Sequence, residues 1–99
     1  MNWEKYPLNI VNAVDRANIY IRAARYRWID YDMAQMGFYG DRGEPDFAGD
    51  LDQVADDLRK LREETTDRAS RALLMRTINR VAAEKERILS EDAARTARN

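Results

Sequence analysis

The side chains that most often carry chemistry in proteins are missing from this sequence. It contains no histidine and no cysteine, so the commonest general base, the thiol nucleophile and the zinc–thiolate ligand are all absent. Ser70 and Ser90 therefore have no histidine to activate them. Gly37, Gly40 and Gly43 are three apart, but no strand pattern precedes them, as a phosphate-binding turn would need. Gly40-Asp41-Arg42-Gly43 reads instead as turn chemistry. Carboxylates are what remain. Asp41, Glu44, Asp46, Asp50 and Asp52 crowd one stretch, yet they lack the alternate spacing, central glycine and terminal glutamate of a calcium loop. The expectation is no metal, no cofactor and no catalytic residue, with these five acids forming an acidic face.

One enzyme class works with helical carboxylates and magnesium alone. Glu64-Thr65-Thr66-Asp67 is an E-x-x-D element, and in this it resembles the all-helical nucleotide pyrophosphohydrolases of the MazG kind. That resemblance would imply a magnesium-dependent NTP pyrophosphohydrolase-like enzyme. The second acidic element of that pattern is not matched: Asp30 and Asp32 supply only D-x-D. The non-enzymatic reading is preferred.

Arginines and aromatics are the other candidates. Arg22, Arg25, Tyr26, Arg27 and Trp28 interleave cations with rings, and such pairs can stack on bases. Arg68, Arg71, Arg76 and Arg80 follow one another with no acid between them, spread over about half a helix circumference at about 100° per residue. Phosphate-backbone binding leans on excess positive charge, and the chain is net −1. Nucleotide or nucleic-acid binding through Arg22, Arg25, Arg27 and Trp28 is thus an alternative reading. The charges are sorted along the chain: residues 1–40 are net +1, 41–67 net −6 and 68–99 net +4. The simplest expectation is that the acidic stretch pairs with basic helices of the same molecule.

The elements that must position these groups are helices. Outside the stretch from Gly37 to Gly49 only Pro7 breaks the pattern, and Ala, Leu, Arg and Glu dominate. A first helix is expected over about 7–36, with an apolar stripe at Ile10, Val14, Ala17, Ile21, Ala24, Trp28 and Tyr31. A second stripe, Ile19, Tyr26, Ile29 and Met33, falls roughly opposite. A helix apolar on two sides needs cover on two sides. Residues 37–50 read as a long, acidic, Gly-rich connecting loop carrying Phe38, Tyr39 and Phe47. Asp50 is the expected cap of a helix over about 51–64, with Gln53 completing a capping box. Its apolar face is Leu51, Val54, Leu58 and Leu61. The register breaks at 64–67, where a kink or turn is expected: either a stutter within one long helix or a turn that restarts with Thr66 as cap. A last helix over about 67–95 follows, its face formed by Leu74, Ile78, Val81 and Ile88.

The fold class predicted is all-α, an antiparallel helical hairpin or three-helix bundle in a single domain. No leader and no membrane span is visible, the longest apolar run being Ala72 to Met75, so a cytoplasmic location is expected. All nine aromatics fall in the first 47 residues. That distribution points to recognition by the first helix and loop, with the rest as scaffold. The function expected is a protein–protein interaction module, a small inhibitor or regulator, binding a protein partner or its own copy as a dimer through Ile19, Tyr26, Ile29, Met33, Phe38, Tyr39 and Phe47. In style it is similar to small phage-encoded inhibitors of host machinery, anti-CRISPR proteins among them, a similarity that no residue motif carries.

Overall fold

A computed structural model describes residues 5–27 and 46–98. Three helices account for nearly all of them: α1 (Leu8–Arg25), α2 (Phe47–Glu64) and α3 (Arg68–Arg98). Each helix packs against the other two. One apolar core lies between them, built from Ile10, Val14, Ala17, Ile21 and Ala24 of α1, Phe47, Leu51, Val54, Ala55 and Leu58 of α2, and Leu73, Leu74, Ile78, Val81 and Ile88 of α3. They include the stripes expected from periodicity, except that Leu61 is only partly buried and Trp28 and Tyr31 lie outside the described residues. The all-α bundle is therefore what the pattern of apolar spacing demands, since each helix carries one stripe that only its two neighbours can shelter. None of the helices among the described residues is long and apolar enough to cross a membrane.

The helix ends differ from expectation in instructive ways. Pro7 lies just outside α1, and its carbonyl accepts from the Ile10 and Val11 N–H groups, both at 3.1 Å. The expected helix over 7–36 is interrupted: α1 ends at Arg25, with Tyr26 as its C-cap at φ −105° and ψ 24°. Residues 28–36 of that expected helix, including Trp28 and Tyr31, lie outside the described residues.

The acidic stretch does not stay a loop as far as residue 50. α2 begins four residues earlier than expected, because Asp46 and not Asp50 is the cap: its carboxylate accepts from the Gly49 N–H at 3.0 Å. The capping box with Gln53 does not form, and the Gln53 amide donates to Asp57 instead. At the second junction the expected break is present, but the cap is Asp67 and not Thr66. Asp67 accepts from both the N–H of Ser70 (2.8 Å) and its hydroxyl (2.7 Å). Either carboxylate reaches the free N–H three residues on with a charge-assisted bond, which is the general logic of an N-cap. α3 continues to Arg98, past the expected end at 95.

Candidate interaction surface on α1 and the arginine cleft

The outward face of α1 carries large apolar side chains that nothing in the described chain covers. Leu8 is 73% exposed, Ile19 62% and Tyr26 59%. At about 100° per residue these three fall within about 20° of one another, so they form a single line along the helix. Asn12, Asp15 and Arg22 fill the gaps in that line. Ile19 and Tyr26 were expected on such a surface. Leu8 was not, although its spacing of eleven and eighteen residues from them was readable in the sequence.

The remaining expected contact residues divide. Ile29, Met33, Phe38 and Tyr39 lie outside the described residues. Phe47 is 8% exposed and packs in the core at the start of α2. A ring placed one residue after the helix cap points inward with the rest of the α2 stripe, so Phe47 is a core residue and not part of an exposed contact surface.

The flank of α1 that meets α3 is polar. Arg22 and Arg25 of α1 and Arg80 of α3 line one cleft of about 310 Å³, together with Asn18, Ile21 and Tyr26. Two of the arginines proposed for nucleotide contact are thus brought together, joined by Arg80 from the far helix. Arg27 is not with them. Its side chain is fully buried and its guanidinium donates to Glu91 (2.7 Å), to Asp92 (3.2 Å) and to the Ala24 carbonyl (3.2 Å). Burial works against its charge, and the hydrogen bonds to Glu91 and Asp92 outweigh it, leaving the guanidinium above its ordinary range. Arg27 is therefore a structural clasp between the end of α1 and the last turns of α3, which removes it from any ligand surface. Trp28 lies outside the described residues.

A second ionic group continues the clasp. Glu84 is buried and accepts from Arg87, which also reaches Glu91. Arg25 approaches Glu84 at 3.9 Å. The hydrogen bond from Arg27 holds the Glu91 carboxyl below its usual range, with Arg87 adding to the effect.

The expected acidic face is dispersed. Asp41 and Glu44 lie outside the described residues. Asp46 is committed to its cap, Asp50 is exposed on α2, and Asp52 pairs with Lys85 of α3 at 2.6 Å. Asp57 meets Arg16 of α1 at 3.8 Å. The acids of α2 thus meet bases of both neighbouring helices, as the sorted charges suggested. The arginines of early α3 do other work: Arg71 donates to the Arg62 and Thr65 carbonyls, closing the C-terminal end of α2. In the E-x-x-D element, Glu64 ends α2 and Asp67 is occupied as the cap of α3. Among the described residues no three acidic side chains converge as metal ligands would.

Compared with known proteins, the chain matches no family model, no curated protein and no solved structure.

Proposed function

We propose that this chain is a non-enzymatic protein-interaction module whose contact surface is the outer face of α1. The observation that carries this reading is the exposed line Leu8, Ile19 and Tyr26. A large apolar group left in water forgoes about 1.5–3 kcal/mol that burial would return, and three aligned on one helix face form a surface suited to docking.

The same face is self-complementary. When two copies of α1 pair antiparallel about Ile19, Asp15 of one copy faces Ala23 of the other and lies within one residue of the level of its Arg22, twice by symmetry. A second copy is therefore the partner that this face fits best. The strip is about 27 Å long by roughly 10 Å wide, or on the order of 300 Å², below the ~800 Å² per partner of a stable complex. Association through it is weak and concentration-dependent. A module that binds in this way acts by occupying a surface, which is the action of a small inhibitor or regulator.

Light scattering over a range of concentrations tests the reading. The wild-type protein is expected to gain mass toward a dimer as concentration rises, and Ile19→Asp to remain monomeric with an unchanged helical spectrum. A wild-type protein that stays monomeric throughout removes the self-pairing reading.

A further inference from the structure

The seams between helices in this molecule are mostly charge-balanced. The groove between α2 and α3 presents Asp52 and Glu86 against Arg59 and Lys85. The groove between α1 and α2 presents Arg16 against Asp57. The cleft between α1 and α3 breaks this rule: among the described residues its lining holds Arg22, Arg25 and Arg80 and no carboxylate. Arg22 and Arg25 sit in the last turn of α1, where a helix end attracts cations in any case. Arg80 lies in the middle of α3 and has no such reason to be there. Glu84, which stands 3.9 Å from Arg25, is engaged by Arg87.

Two further features share the cleft. Tyr26, at its edge, leaves its ring 59% exposed. Asn18, on its wall, keeps its Oδ1 buried and out of reach of a ligand in the cleft. Three arginines lining one cleft match a polyanion better than a single phosphate. An exposed ring beside them suits stacking by a base. We infer that this cleft binds a nucleoside polyphosphate, its phosphates on Arg22, Arg25 and Arg80 and its base on Tyr26.

The site shares Arg22 and Tyr26 with the outer face of α1, whereas Arg80, on α3, belongs to the cleft alone. Calorimetric titration of the full chain with ATP, inorganic tripolyphosphate, adenosine and a short single-stranded oligonucleotide tests it. ATP should bind more tightly than tripolyphosphate, and adenosine should not bind measurably. Arg80→Ala, at an exposed position, should weaken ATP about tenfold, the value of one lost charge-assisted contact. Tyr26→Ala should weaken ATP and leave tripolyphosphate unchanged. No heat with ATP, equal affinity for ATP in Arg80→Ala, or tripolyphosphate as tight as ATP would each overturn the assignment. An oligonucleotide tighter than ATP overturns it in favour of a nucleic-acid strand. Arg80→Ala should leave the dependence of mass on concentration as in the wild type, so a failure of self-pairing and a failure of the cleft are read separately.

Discussion

Arg27 shows how one side chain can join two elements at low risk. An arginine buried without partners is among the costlier groups in a protein. Here its partners Glu91 and Asp92 remain 39% and 44% exposed, so water shares the neutralisation. Breaking a fully buried ion pair typically costs about 3–5 kcal/mol. Arg27→Met should cost less, about 1–2 kcal/mol, because the stranded carboxylates can hydrate and the methionine still fills the site. Arg27→Ala, which also leaves a void, should cost more. For a chain of this length each kcal/mol lowers the melting temperature by about 4–8 °C, so thermal denaturation followed by circular dichroism separates the two variants. Equal melting temperatures for Arg27→Met and Arg27→Ala would show that the packing of this side chain contributes nothing.

At the scale of the element, the two caps make opposite predictions to simple propensity. Replacing a helical glycine by alanine commonly gains up to about 1 kcal/mol. Gly49 should not behave so, because a Cβ there would stand 2.2 Å from the Asp46 carboxylate oxygen. That carboxylate is the flexible end of a side chain, so it can move away, but in moving it gives up the cap, which is worth about 1 kcal/mol. Gly49→Ala is therefore expected to be near neutral in the wild type and clearly stabilising in an Asp46→Ala background. A double-mutant cycle measured by urea denaturation checks this. Equal effects in both backgrounds would remove the proposed conflict. The turn between α2 and α3 depends on Asp67 at one end and Arg71 at the other. Their hydrogen bonds tie the start of α3 to Ser70 and the end of α2 to Arg71.

For the molecule as a whole, acid is the condition that loosens these ties. Asp67 is held below its ordinary range by the Ser70 hydroxyl and backbone N–H, and Glu91 by Arg27. Both are depressed on folding, so their stabilisation is fully present above the unfolded carboxylate range. It is lost as pH falls through the lower, folded values. Melting temperature should hold steady from neutral pH down to the carboxylate range and then fall. Glu91→Gln should lower it at neutral pH and flatten part of the acid slope. An unchanged slope in that variant would mean that Glu91 titrates alike folded and unfolded. The core sets the scale of these effects. Leu74 is 0% exposed at the centre of the bundle, and Leu74→Ala should cost about 2–5 kcal/mol, a large share of the ~5–15 kcal/mol typical of a folded domain.

What the amino-acid order determined alone was whatever depends on local spacing. The 3.6-residue period placed Ile10, Val14, Ala17, Ile21 and Ala24 inward, and Leu51, Val54, Leu58, Leu74, Ile78, Val81 and Ile88 with them. It also set Ile19 and Tyr26 on the outer side, because a helix has only one circumference to divide between core and water. Charge sorting announced pairs such as Asp52 with Lys85. Tertiary structure decided matters that turn on long-range meetings. Nothing near Arg27 in the chain foretells its burial, since Glu91 and Asp92 lie 64 and 65 residues away. Nothing near Arg22 foretells Arg80. The choice of Asp46 over Asp50, and of Asp67 over Thr66, was hidden for a different reason. Several acceptors of similar strength stood side by side, and the packing of Phe47 and Ser70 into the interior selected between them.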